Sequence, residues 1–263
     1  MEIIDAHAHI YPEKIAAKAT ETIGEFYDIE MEMPAGTPER LIEDGTRAGV
    51  SRYIVHSVAT TPKQVRSINE FIKRETEAHS EFVGFITLHQ DLTREEVKKE
   101  IEAALASGMK GIKLHPDFQK FNIDDECAEK IYEEAAGKLP ILLHMGDDRY
   151  EYSAPERLVR MAKKYPDTVF IAAHFGGYRC WDKAPIYKGL PNVYFDTCSS
   201  LMFISTERAK ELIDMLGYER FFFATDFPMW DARGEVERFL EIPLTDTERE
   251  AIFSGNIKGL LGI

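Results

Sequence analysis

Eight short runs of apolar residues, each followed by a turn and a stretch of helix-like spacing, constrain this 263-residue chain more than any other feature. The runs cover residues 2–10, 52–58, 82–88, 111–115, 141–144, 169–174, 193–197 and 220–226. Their apolar residues are continuous rather than alternating, as in parallel strands covered on both faces. Between them lie amphipathic segments. Residues 37–48 carry Leu41, Ile42 and Ala48, and residues 63–78 carry Val65, Ile68, Phe71 and Ile72. Residues 94–107 carry Val97, Ile101, Ala104 and Leu105, with Gly108 expected as the C-cap. Further helices are expected over 124–136, 155–164 and 206–216, with Pro155 suited to a first helical position and Thr206 to a helix start. Residues 246–253 and 257–261 read as closing helix. Eight strands alternating with helices predict a single-domain (β/α)8 TIM barrel spanning 1–263, a fold of typically ~250 residues. The competing doubly wound open sheet would be marked by a GxGxxG or GxxxxGK[ST] turn, and neither occurs. Residues 24–34 and 176–191 look like extended βα-loops, where a barrel usually carries its specificity.

Composition narrows the function. Hydrophobic residues make up 44% and charged residues 30%, which suits a soluble globular protein. A formal charge of −14 disfavours nucleic acid and anionic membrane but says little about a small-molecule substrate, which is the expected partner. Cys127, Cys180 and Cys198 are too few and too scattered for a disulfide framework or a cysteine zinc site. No apolar stretch has the length of a membrane span and no signal peptide is visible, so the expectation is a cytoplasmic protein.

The polar residues gather at strand ends. His7 and His9 close run 1, His115 run 4, His144 run 5, His174 run 6 and Asp226 run 8. In a parallel barrel those ends open on one face. His7 and His9 are two apart on one strand and therefore point the same way. An HxH pair alone is a weak signal, but five of eight strands offering His or Asp at one end is a strong one. His144 and Asp226 complete a mixed nitrogen–oxygen set suited to Zn²⁺ first, and also to Mn²⁺ or Fe²⁺. Such an ion lowers the pKa of bound water toward ~7, with His174 and Asp226 as proton shuttles. His79 and His89 read as surface or loop residues, and His56 as structural or rim, with a substrate contact open.

The residues Asp5-Ala6-His7-Ala8-His9, Gly111-Ile112-Lys113-Leu114-His115-Pro116, Leu143-His144-Met145-Gly146, Ala173-His174-Phe175-Gly176-Gly177 and Ala224-Thr225-Asp226-Phe227-Pro228, with the tail Gly255-Asn256-Ile257-Lys258, resemble the amidohydrolase superfamily. The likeness is greatest to amidohydrolase family 2, which holds metal-dependent hydrolases and nonoxidative decarboxylases. The resemblance implies that His7, His9 and His144 ligate one metal and that Asp226 binds the metal or its water and acts as general base. It makes His174 either a ligand of a second metal or a hydrogen-bond partner of the water or substrate. Lys113 stays ambiguous. Two-metal members of the superfamily carbamylate a strand-4 lysine to bridge their ions, whereas the decarboxylases of this branch generally lack it. The alternative, slightly preferred, is a charge held by a buried carboxylate such as Asp5 or used against a substrate carboxylate. Lys113 shares its strand face with His115, which is nearer the mouth.

The sequence reading is therefore metal-assisted hydrolysis of an amide, lactone or ester, with nonoxidative decarboxylation of an aromatic or unsaturated acid as the alternative and a non-catalytic metal-binding barrel third. Candidate pocket residues are His115, Arg149, Tyr150, Tyr178, Arg179, Trp181, Met229 and Trp230, with Arg149 or Arg179 able to take a substrate carboxylate bidentately. A homodimer is carried as an open expectation.

Overall fold

A computed structural model describes all 263 residues. The strands are β1 (Ile3–His9), β2 (Val50–His56), β3 (Phe82–Thr87), β4 (Gly111–Leu114), β5 (Ile141–Leu143), β6 (Phe170–Ala172), β7 (Val193–Asp196) and β8 (Phe221–Phe222). They follow the order β1 to β8 in one sheet, the strand order of the expected (β/α)8 TIM barrel. The main helices are α1 (Glu13–Tyr27), α2 (Pro38–Ala48), α3 (Val65–Ala78), α4 (Arg94–Ala106), α5 (Pro116–Gln119), α6 (Glu126–Ala135), α7 (Pro155–Lys164), α8 (Thr206–Leu216) and α9 (Ala232–Leu240). None is long and apolar enough to cross a membrane. Internal contacts group the chain into two units, residues 1–56 with 78–83 and 197–263, and residues 57–77 with 84–196.

In the first unit β1 is flanked on both sides. It pairs in parallel with β2, His9 opposite His56. On its other edge Ala8 bridges Phe227, Ala6 N–H donates to Phe223 O at 2.9 Å, and Asp226 N–H donates to His7 O at 2.9 Å. All seven β1 residues are buried, as in a strand covered on both faces. Three of them are polar, His7, His9 and Asp5, and Asp5 is the one carboxylate of the strand. Its carboxylate accepts from His7 N–H (3.0 Å), Thr225 N–H (3.0 Å) and Thr225 Oγ1 (2.6 Å). The pairing with β2 slips between Asp5 and Ala8, because the His7 amide is spent on Asp5 rather than on the neighbouring strand.

In the second unit β3 to β7 pair in parallel, Thr87 opposite Lys113, Leu143 opposite Ala172, and Ala172 opposite Phe195. Ile112, Ile141, Leu143, Phe170 and Phe195 share one face of the sheet by their register and are fully buried, and Phe85 is fully buried on the other face. Thr93 and Glu96 form a capping box that starts α4, and Pro155 starts α7 as anticipated.

Four expectations change. Helix α1 occupies residues assigned to no element and takes in Gly24, shortening the extended loop after β1. Helix α9 was also unanticipated. The 176–191 loop contains a 3-10 stretch, Trp181–Tyr187. Gly108, with φ of +79°, follows the C-cap Ser107 rather than forming it.

Candidate metal centre

Within the first unit, His7 and His9 end β1, His56 ends β2, and Asp226 follows β8. The two imidazole Nε2 atoms lie 3.2 Å apart, and each is 3.4 Å from Asp226 Oδ1. Two ligands held ~2.1 Å from one ion at roughly 90–109° are ~3.0–3.4 Å apart. The triangle of edges 3.2, 3.4 and 3.4 Å therefore has the dimensions of one face of a tetrahedral or octahedral ion. The donor set is two neutral imidazoles and a carboxylate, the chemistry of Zn²⁺, Mn²⁺ or Fe²⁺. All three residues are buried. Bringing two ring nitrogens and a carboxylate oxygen together in such a place is costly without a cation between them.

The surroundings fix the donors. His7 Nδ1 lies 3.4 Å from Cys198 Sγ, which leaves Nε2 turned to the triangle. Asp226 sits at φ of +60°, in the left-handed region, so its side chain leaves the strand at a corner. Its Oδ2 accepts from the Ser199 hydroxyl at 2.5 Å, and Ser199 Oγ is also 3.0 Å from Trp230 Nε1. His56 is wholly buried, its ring edge-on to His7 (4.9 Å) and His9 (4.5 Å). Of the structural or rim role expected for it, the structural one fits, as a wall of the cluster. Burial raises the Asp5 carboxyl to about 7 despite its hydrogen bonds to Thr225 and His7.

The second unit holds its own histidine group. His144 Nε2 lies 3.0 Å from Gly146 O, an acceptor only, so this nitrogen carries the proton and Nδ1 keeps its lone pair. That Nδ1 is 3.0 Å from His174 Nε2. His174, at φ of +62°, donates its backbone N–H to Asp196 Oδ1 at 2.7 Å and accepts from Trp181 Nε1 at 3.1 Å on its carbonyl. The His115 ring stacks between Phe118 (3.7 Å) and His144 (4.0 Å), and its Nδ1 caps α5 by accepting from Phe118 N–H. Asp117, absent from the sequence reading, lies 3.7 Å from His144 Nε2 and accepts from Ser153 Oγ at 2.5 Å. Burial lifts its carboxyl to about 6.

The remaining expectations fall as follows. Lys113 is wholly buried in β4. Arg149 is bound to Asp147 through Nε (3.0 Å) and Nη2 (2.8 Å), so part of its fork is already used. Arg179 is exposed, with its guanidinium 5.3 Å from the Tyr178 ring centre. Trp181 and Trp230 spend their indole N–H groups on His174 O and Ser199 Oγ. His89 is in a loop as expected but is buried rather than at the surface, and burial lowers its pKa. Cys198, Ser199, Asp117 and Asp196 escaped the sequence reading. The run Thr197-Cys198-Ser199-Ser200 directly after the seventh apolar run was the available signal.

The sequence profile of the amidohydrolase family matches residues 4–263, nearly the whole chain. The protein belongs to the amidohydrolase family. Among solved structures, this amidohydrolase resembles an uncharacterized TIM-barrel protein from Bordetella bronchiseptica, with 18% identity, a TM-score of 0.80, and coverage of 100% of this chain and 99% of the other. It also resembles 5-carboxyvanillate decarboxylase from Novosphingobium aromaticivorans complexed with manganese and 4-hydroxy-3-methoxy-5-nitrobenzoic acid (14% identity, TM-score 0.79, coverage 100% and 96%). A third is dihydroxybenzoic acid decarboxylase from Polaromonas with bound manganese and 2-nitroresorcinol (15% identity, TM-score 0.75, coverage 99% and 97%). At these identities the likeness shows the fold alone. A search of curated protein sequences found no match.

Proposed function

We propose that this amidohydrolase is a metal-dependent nonoxidative decarboxylase of an aromatic carboxylic acid. The observation that carries the reading is the convergence of His7 Nε2, His9 Nε2 and Asp226 Oδ1 on a triangle of ion-ligand dimensions. The choice of decarboxylation over hydrolysis draws support from the two manganese-bound decarboxylases that share the fold. It reverses the order of preference that the sequence suggested. Manganese joins zinc as the leading candidate ion.

His7, His9 and Asp226 would hold a divalent cation, which would supply positive charge to neutralise the carboxylate of an acid substrate. Asp226, ionised at rest, would take one proton from solvent, the proton that the net reaction consumes, and pass it to the ring carbon. The carbon–carboxyl bond breaks as that proton arrives, so that CO2 leaves and the arene keeps the hydrogen. Burial of His7 and Asp226 keeps water from competing for the proton. By resemblance to the family, His144 is retained as a further ligand and His174 as a hydrogen-bond partner of the substrate. A second reading, hydrolysis of an amide, lactone or ester, is favoured by one observation, the fully buried Lys113.

The test is product analysis of Mn²⁺- and Zn²⁺-loaded protein against hydroxybenzoic acids on one side and lactones and amides on the other. Released CO2 with the matching phenol, lost in Asp226→Asn, is expected. Turnover of a lactone or amide without CO2 would overturn decarboxylation.

A further inference from the structure

We infer that Trp230 and Ser199 form a positioning relay that holds the Asp226 carboxylate with Oδ1 toward His7 and His9, and thereby sets how tightly the site takes a divalent cation. The inference rests on the reading of those three residues as metal ligands. It assigns a task to two residues that make no contact with the ion.

The direction of the relay follows from the donor inventory. An indole Nε1–H donates and cannot accept. Ser199 Oγ, 3.0 Å away, therefore accepts from Trp230 and must send its own hydrogen elsewhere. Two acceptors are in reach, Asp226 Oδ2 at 2.5 Å and the weakly accepting Met229 Sδ at 3.6 Å. The carboxylate wins on both distance and charge. Oδ2 is thereby engaged as a hydrogen-bond acceptor, while Oδ1 stands 3.4 Å from both His7 Nε2 and His9 Nε2. The carboxylate can no longer rotate about its last bond without breaking the short contact to Ser199. Its two oxygens therefore have separate duties.

The backbone is committed to the same end. Ser199 and Asp226 both lie in the left-handed region, at φ of +51° and +60°, where a residue with a Cβ is costly to place. Met229 N–H donates to Asp226 O at 2.9 Å, a turn that brings Trp230 back over Ser199. Ser199 and Trp230 are 2% and 4% exposed, so water cannot replace either partner cheaply. Partners of this kind, one bond removed from a metal, typically change its affinity 10–100-fold when deleted.

The experiment titrates Mn²⁺ into the metal-free full-length protein and reads free aquated Mn²⁺ by its EPR signal. Ser199→Ala and Ser199→Gly should each weaken binding about 10–100-fold, and Trp230→Phe, which removes only the indole donor, should weaken it in the same direction. Glycine relieves the left-handed backbone but restores no hydroxyl. A purely structural role would leave Ser199→Gly with wild-type affinity, and that result would overturn the relay. The d–d spectrum of bound Co²⁺ should shift in Ser199→Ala; an unchanged spectrum with unchanged affinity also overturns the relay. If the serine variants fail to fold, wild-type Mn²⁺ affinity in Trp230→Phe does so alone. Asp226→Asn separates the two claims: Mn²⁺ binding as tight as wild type in that variant sinks the ligand reading, and the relay with it, whereas lost binding there with full binding in Ser199→Ala sinks the relay only.

Discussion

Glu235 offers a prediction that needs no substrate. It lies on the buried face of α9, fully enclosed, with Arg238 Nε (3.0 Å) and Nη2 (2.7 Å) both donating to Oε1, while Oε2 has no hydrogen-bond partner. Burial outweighs the nearby guanidinium and lifts the carboxyl from 4.5 to about 8, with the charges of Glu32 and Asp226 pushing the same way. At pH 7 the group is then roughly nine-tenths protonated, a neutral acid rather than half of an ion pair. The folded-state pKa lies above the unfolded one, so the native protein keeps a proton that the unfolded chain releases as pH rises above 4.5. Unfolding free energy must therefore fall with rising pH between about 4.5 and 8 and level off beyond. The shift of 8 − 4.5 = 3.5 units corresponds, at about 1.36 kcal/mol per unit, to a loss on the order of 5 kcal/mol. Glu235→Gln copies the shape of the protonated acid and cannot ionise. Its stability should match wild type near pH 5 and exceed it at pH 9 by several kcal/mol. Urea unfolding of both proteins at pH 5, 7 and 9 measures the difference, in which every other titrating group cancels. A gap between the two proteins that is the same at pH 5 and pH 9 would refute the reasoning.

Two further outcomes are expected. Mn²⁺ at 100 times its dissociation constant should stabilise wild type by about 2.7 kcal/mol, roughly 5–10 °C for a chain of this size; His9→Ala should lose that increment in a thermal melt, and retention of the increment would exclude His9 as a ligand. Asn192 Nδ2 is within reach of the carbonyls of Ala162, Tyr165 and Thr168 at 3.0–3.2 Å in a buried site. Asn192→Ala should cost about 2–4 kcal/mol, seen as a lower urea midpoint with an unchanged slope; an unchanged midpoint would refute it.

The barrel was legible because its strands are buried on both faces, so each announces itself as an apolar run. What stayed hidden had physical reasons. Helix α1 buries Ala16, Thr20 and Gly24, a face of small residues with no large apolar stripe, and it leaves Ile15 half exposed. Helix α9 breaks its apolar pattern with Glu235 on the buried side. Run 8 was expected to reach Asp226, but regular strand stops at Phe222. Beyond it the amides of Ala224, Thr225 and Phe227 bond to the side chains of Thr197, Asp5 and Thr225, and Asp226 turns left-handed. The ligand candidates were readable because imidazole and carboxylate at strand ends are conspicuous. Ser199 was not, and Trp230 was readable only as a pocket candidate, since a serine after a strand has many uses and the hydrogen bond joining the two spans 31 positions.

The triangle of His7, His9 and Asp226 joins the first strand to the last. From His9 to Asp226 the chain runs 226 − 9 = 217 positions. At synthesis rates of ~5–20 residues per second, roughly 10–45 s pass between the making of the two histidines and of the carboxylate that faces them. On the proposed ligand reading, the growing chain would carry an incomplete set throughout that interval, and the triangle could take an ion only once the residues after the final strand have been made.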